Sequence, residues 1–316
     1  MRSRSRSERA GLAILGTLAL VAIGADLLAS DLPLVCRHEG RLYVLPCLTH
    51  PAALADADNQ SLARDAAGWA LRPLVPYAPE AQHPGGETRA LAPPSPQHWL
   101  GTDDRGRDVL ARLIHGTRVA LVVGPLAVAL YVAFGLVIGV LAAAGRTLDF
   151  LLGRVVEAAL LFPTLLLLLA IQGLTSSLSL VEVALAIALT QWPHVARLAR
   201  AEALRAATLP HVEAARALGA RPARLLALHI APLAVLPALT TAAFGIGQAV
   251  LFESALTFLG FGVPPPTASW GELLAQAQAS GLKPWLLIPP TVAIALVVLA
   301  CNLLGDGVRR AISSKA

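Results

Sequence analysis

Residues able to do chemistry are sparse in this sequence, and their spacing favours binding over catalysis. His194 and His229 belong to no HExxH pattern and have no nucleophile arrangement beside them, so a hydrolytic site finds no support. No GxxxxGK[ST] phosphate loop occurs, which removes nucleotide hydrolysis by that route. Cys36, His38, Cys47 and His50 are metal-ligating types in one stretch, but their spacing fits no compact zinc pattern. In an oxidising exterior Cys36 and Cys47 can instead close a short disulfide loop, or remain two free thiols. Arg154 and Glu157, three apart, can pair on one helical face near Asp149.

The stretch HVEAARALGARPARLLALHIAP, His211 to Pro232, interrupts long apolar segments with charge. It lies in a connection, residues 197–232, that holds six arginines and is far longer than two neighbouring spans need. Thr208 and Pro210 are helix-start signals, VEAARAL is strong helix former, and Gly219 supplies a stop. Pro222 suits the first turn of a second helix. The spacing therefore predicts a helix, a glycine turn and another helix on the cytoplasmic surface. Its alanines let the backbone sit deep in a groove on a partner. Its arginines equally let it lie on anionic lipid, and the residues alone leave both uses open.

The elements that must position this stretch are membrane helices. With 56% hydrophobic and 14% charged residues, the chain is too apolar for a soluble protein of its size. Six apolar runs can span a bilayer, at residues 10–28, 118–144, 155–174, 181–196, 233–252 and 286–305. The first exceeds the apolar part of a cleaved signal peptide and is expected to be retained. The Arg-Ser alternation before it reads as positive-inside anchoring and not as a nucleic-acid tail. A cytoplasmic amino terminus puts Arg146, Arg154 and the tail VRRAISSKA on that same side, so the net charge of +5 reports topology.

Residues 30–117, rich in Pro, Asp and His, then lie outside. Near their end Asp103 or Asp104 can cap a short interfacial helix with an apolar stripe through Val109, Leu110, Leu113 and Ile114, stopped by Gly116. A second outside helix is marked by Ser269 and Glu272 at capping-box spacing, with Gly281 near its end. Gly135 and Gly139 make a GxxxG step in the second span. The fifth span mixes Pro237, Thr240, Thr241, Gly245, Gly247 and Gln248, which suits a protein interface or a polar pathway better than lipid. Glu253, where that span is expected to leave the membrane, serves either gating or an interface, or else capping or simple solvent exposure.

Four separated motifs carry a family resemblance: EAARALGA followed by HIAP, HWLGTDDRGRDVLARLIHGTR, ESALTFLGFGVPPPTASWGELL and CNLLGDGVRR. In their order along the chain they resemble the permease subunits of binding-protein-dependent ABC importers, in the dipeptide, oligopeptide and nickel branch. SDLPLVCRHEGRLYVLP is similar to the insert of the subgroup associated with microcin-C-type peptide uptake. The resemblance implies an all-α integral membrane protein with six transmembrane helices, a type I ABC importer transmembrane domain, carrying an extended extracytoplasmic segment after helix 1. Its divisions are 1–29, 30–117, a core at 118–308 and a tail at 309–316. It further implies a bacterial inner membrane location with both termini cytoplasmic. The partners implied are a second permease, two cytoplasmic ATPases that use ATP-Mg, a solute-binding protein outside and membrane lipid, but no nucleic acid. The chain itself is implied to be no enzyme and to bind no cofactor or metal. Glu213, Ala214, Ala215 and Gly219, with His229 and Pro232, take the positions of the ATPase-coupling loop, Glu253 lies in a family-matching motif as a gating or interface candidate, and Gln248 joins it as a candidate from the polar make-up of the fifth span.

Overall fold

The structure is a computed structural model that describes residues 6–54, 57–64, 69–81, 89–173 and 179–313. The basic residues 1–5 and the last three residues lie outside that set. The chain opens with α1 (Arg6–Ile23) and a short α2 (Ala25–Leu28). Next come β1 (Val35–His38), β2 (Arg41–Val44), α3 (Pro46–Thr49), α4 (Asn59–Arg64) and β3 (Trp69–Leu71). The remainder is helical: α5 (Val109–Ala142), α6 (Arg146–Leu160), α7 (Thr164–Gly173), α8 (Leu180–Ala206), α9 (Pro210–Ala217), α10 (Pro222–Leu225), α11 (Ala231–Phe258), α12 (Trp270–Ala279) and α13 (Pro284–Ser313).

By length and composition, three stretches among the described residues can cross a membrane: Val109–Ala142, Pro222–Phe258 and Pro284–Arg310. The third expected span is not continuous. Helices α6 and α7 meet at an 85° bend beside Pro163, a residue with no N–H to continue the ladder and a ring that crowds the preceding turn. An apolar run reports burial in lipid and is blind to that break. Helices α1 and α8 cover the positions expected for the first and fourth spans.

The contacts group the chain into two compact units. One comprises residues 1–14, 123–253 and 297–316, the other 15–122 and 254–296. In the first, the GxxxG step lets α5 and α8 touch backbone to backbone. A Cβ on Gly135 would stand 2.7 Å from Val195 Cβ and 2.8 Å from Trp192 O, and one on Gly139 2.6 Å from Ala199 Cβ. Any larger side chain there must push α8 away, since backbone cannot yield as a flexible side chain can. A full capping box starts α8. Ser179 Oγ accepts from the Glu182 N–H at 3.3 Å, and Glu182 Oε2 accepts from the Ser179 N–H at 2.6 Å. Asp149 holds α6 to α8 by accepting two bonds from Arg200, at 2.6 and 3.0 Å.

In the second unit α5 does not stop at Gly116. It starts at Val109 and runs on through the glycine, so the short interfacial helix is instead its first turns. A mid-helix glycine costs ~1 kcal/mol, and here the missing side chain makes room for Trp270, whose Nε1 donates to Leu113 O at 3.0 Å. The cap is neither Asp103 nor Asp104 but Asp108, whose Oδ1 accepts from the Ala111 N–H at 2.8 Å.

Residues 35–71 also form a three-stranded antiparallel sheet, in the order β2-β1-β3, that the composition did not announce. Its hairpin turns on Glu39 and Gly40, both at positive φ. That is the two-residue turn whose twist matches paired strands. Cys36 lies opposite Tyr43 and Ala70, whereas Cys47 falls beyond the strands in α3. In this structure the two are unlinked thiols, buried in one cluster with Leu32, Leu54 and Leu62. Burial pushes the pKa of both upwards. Among the described residues no three His, Cys, Asp or Glu side chains gather as metal ligands.

Candidate functional site

Helix α9 stands on a small cluster and leaves most of itself exposed. Pro210 opens it at the first helical position. Val212 is its buried anchor, packed with Ala203, Ala206, Leu225, Ile230 and Ala234. Glu213, Ala214, Arg216, Ala217, Leu218 and Gly219 face outward, and Ala215 is half-buried against the cluster. Leu218 is 89% exposed. An isolated leucine on a surface is ordinary, and this one ends a helix whose other exposed residues include glutamate, arginine and alanine.

The end of α9 is a Schellman turn. Gly219 takes φ +81°, its N–H donates to Arg216 O at 3.0 Å, and the Ala220 N–H donates to Ala215 O at 3.1 Å. The chain then turns through Arg221 into α10, with Pro222 in its first turn. Between α10 and α11 the backbone widens into a π turn, Leu226–Ile230. Pro232 just beyond has no N–H to give, which suits a local change in the bonding ladder. His229 sits in that turn with its ring 6.3 Å from that of His211. Pro232 is exposed.

The other sequence-marked residues separate. Arg154 Nη1 donates to Glu157 Oε2 at 2.8 Å, with both side chains exposed and the guanidinium 5.3 Å from the Phe150 ring centroid. Asp149 is committed to Arg200 instead. Gln248 is exposed on α11. Glu253 is buried within the last turns of α11, ahead of Phe258, which removes the reading as a solvent-exposed cap. Gly247 lets α11 approach α13, since a Cβ there would lie 3.2 Å from Val298 Cα and 3.3 Å from Cys301 Cβ. The glycines of the fifth span therefore serve packing.

A second polar centre lies in the unit of residues 15–122 and 254–296. Arg107 and Arg112 are fully buried, and both reach Glu272 on α12. Arg107 Nη2 donates to Glu272 Oε1 at 3.0 Å and its Nε donates to Asp103 Oδ2 at 2.7 Å. Arg112 Nη2 donates to Glu272 Oε2, and its Nε lies 3.5 Å from Asp103 Oδ2. Two cations thus meet two carboxylates out of water. Burial works against the Arg107 charge, yet Asp103 and Glu272 outweigh it and hold its pKa above the ordinary value. Ser269 caps α12 by accepting from the Glu272 N–H at 3.2 Å. The other half of the expected box is unmade, because the Glu272 carboxylate is occupied by the two guanidiniums. Nearby, His98 Nδ1 and Asp108 Oδ2 are 2.8 Å apart, and the His98 ring stacks on Tyr77. The sequence held one sign of this centre: arginine and aspartate in alternation just before an apolar run, with no solvent-facing face to explain them.

Long apolar helices, a bent broken helix and a short exposed helix between α8 and α11 define a helical membrane protein. The chain belongs to the family of binding-protein-dependent transport system inner membrane components, whose model matches residues 135–316, more than half of it. It is 41% identical over 219 residues to a putative peptide transport system permease protein of Brucella suis, covering 69% of this chain and 73% of that one. A dipeptide transport system permease protein of Alkalihalophilus pseudofirmus is 37% identical over 227 residues, covering 71% and 74%. Among solved structures, the methionine ABC transporter MetNI in inward-facing conformations matches with a TM-score of 0.54 at 19% identity, over 65% of this chain and 96% of that one. An amino acid ABC transporter with histidines matches with a TM-score of 0.50 at 20% identity, over 66% and 95%. These two show the fold: a type I importer transmembrane domain.

Proposed function

We propose that this chain is one of two permease subunits of an ATP-driven importer for peptides or related small solutes such as nickel chelates or peptide antibiotics. Two cytoplasmic ATPases use ATP-Mg, and a solute-binding protein delivers the cargo from outside. Helix α9 is the coupling element, with Glu213, Ala214, Ala215 and Gly219 entering a cleft on one ATPase. The observation that carries this reading is the exposed face of α9 ending in Leu218, held on a buried Val212 and closed by a left-handed Gly219. A rigid lever of this kind transmits a push without absorbing it. His229 and Pro232 shape the turn behind it, where the chain re-enters a long helix. The peptide-transport names of the relatives support the cargo class.

In this reading both termini and α9 are cytoplasmic, and residues 30–117 lie outside. ATP binding closes the ATPase pair, the two docked helices approach each other, and the permeases pass from inward to outward facing. Cargo biases that equilibrium only through its different affinity for the two states. Reconstitution with the partner subunits tests the function. Peptide uptake into vesicles is expected to require ATP on the α9 side and to persist when ion gradients are collapsed. Uptake driven by an ion gradient without ATP contradicts it.

A further inference from the structure

The small sheet presents an apolar face that the transport cycle does not use. Its inward face carries Cys36, Tyr43 and Ala70 over the cysteine cluster. Residues directly opposite one another share a face, so the register places Leu42, Arg37 and Trp69 in one outward row and Val44, Val35 and Leu71 in the next. Leu42 is 60% exposed, Val44 61%, Trp69 53% and Leu71 56%. A flat patch of this composition in water is a liability, and natural sheets blunt such faces with charge or cover.

Its place in the chain says what the cover is. After Leu71 the backbone returns within four residues to Val75, which bridges Ala29 at the end of the first span. The Val75 N–H donates to Leu28 O at 2.8 Å, and the Ser30 N–H donates to Val75 O at 3.2 Å. Four extended residues reach at most about 14 Å, so the end of β3 is tied close to Ala29, at the end of the first expected span. Leu20, Ile23 and Leu27 on that helix segment and Leu74 beside the bridge are exposed apolar residues as well. Of the nearby charges, Arg37 stands in the outward row itself, Arg41 pairs with His38 on the opposite face, Arg72 follows the end of β3, and Glu39 is at the hairpin tip. Aliphatic side chains, one tryptophan and a guanidinium among them are the combination that seats a surface at a headgroup boundary, with Arg37 on phosphate and the indole at the interface.

We propose that the outward face of the β2-β1-β3 sheet is a membrane-interface anchor that rests on the bilayer and takes phospholipid as its ligand, with Arg37 on the lipid phosphate. It fixes the otherwise long segment after the first helix against the membrane. The assignment rests on the chain being a membrane protein and not on its cargo or its ATPases.

The test uses the full transporter in nanodiscs of phosphatidylcholine with phosphatidylglycerol. Subtracting the emission of Trp69→Phe from that of the unchanged protein isolates Trp69, and the exposed position lets phenylalanine replace it without disturbing the core. The expected result is that lipid brominated near the headgroup end of its acyl chains quenches the Trp69 signal at least twofold, while aqueous iodide does not. Quenching by iodide without quenching by brominated lipid overturns the proposal. Shielding from iodide that arises only on adding the solute-binding protein, with no effect of brominated lipid, overturns it in favour of a protein partner. A nitroxide on Val44→Cys gives a second reading, since the native cysteines are buried. Faster collision with oxygen than with a water-soluble nickel chelate is expected, and the reverse order contradicts the anchor.

Discussion

Gly219→Pro is expected to reduce ATP-coupled uptake to background, and to remove the ATPases from the purified complex, while the permease still reaches the membrane in normal amount. Two separate features of the position demand this. Its φ of +81° lies where proline, fixed near −65°, cannot follow. Its N–H donates to Arg216 O, and proline has none to give. Losing both opens the turn that aims α9 and shifts Leu218 with it. Crowding plays no part, since nothing stands within 4 Å of where a Cβ would be. Gly219→Ala keeps the N–H and pays only the left-handed backbone, ~1–2 kcal/mol, so it is expected to retain much of the uptake. Glu213→Arg supplies the electrostatic companion. Glu213 lies in the first turn of α9, where the unpaired N–H groups favour a carboxylate, and an arginine there would stand with Arg216, Arg221 and Arg224. Its uptake is expected to fall with the turn intact. Normal uptake and ATPase retention in both Gly219→Pro and Glu213→Arg contradict the coupling role of α9.

The second large effect belongs to Arg112→Met. The centre balances Arg107 and Arg112 against Asp103 and Glu272. Removing one guanidinium leaves a net negative charge in a place where Arg112 and Asp103 are wholly out of water. Breaking a buried pair by deleting one partner costs about 3–5 kcal/mol. The loss of thermal stability in detergent is expected to be on the order of 10 °C. Arg112→Met with Glu272→Met restores the balance and is expected to recover a large part of that loss, because well-packed apolar side chains can replace an ion pair at little cost. A double variant no more stable than the single one contradicts the balance of charge as the cause.

What was legible in the sequence was local. Pro210, Gly219 and Pro222 mark the ends of α9 and the start of α10 because each acts through its own φ or its missing N–H, and the structure uses all three in that way. The GxxxG step was readable for the same reason, since absence of side chains along one face has meaning before a partner is known. Partnerships across the chain were not. Asp149 looked close to Arg154 and Glu157 in sequence but binds Arg200, 51 residues on, and Glu272 meets arginines more than 150 residues before it. Nothing in the spacing of either residue encodes those pairings. Two further misses had signals that composition drowned. Pro163 interrupts the third apolar run, and an average over the run does not register one missing N–H. The alternation in VCRHEGRLYV around Glu39 and Gly40 is a hairpin pattern inside a segment whose proline and aspartate content spoke for loop. Gly116 misled in the other direction, because a glycine inside a helix and a glycine ending one look alike until Trp270 is seen filling its place.

The central claim is that the exposed end of α9 docks on an ATPase, and one measurement addresses it directly. A photo-crosslinking amino acid at position 218 replaces the most exposed leucine of the turn without touching the buried anchor Val212. Irradiated in membranes that contain the assembled transporter, it is predicted to yield a covalent product with an ATPase subunit, and the yield is predicted to change when ATP is bound. A product formed with phospholipid alone, at the same yield with and without the ATPases, contradicts the docking and assigns α9 to the membrane surface.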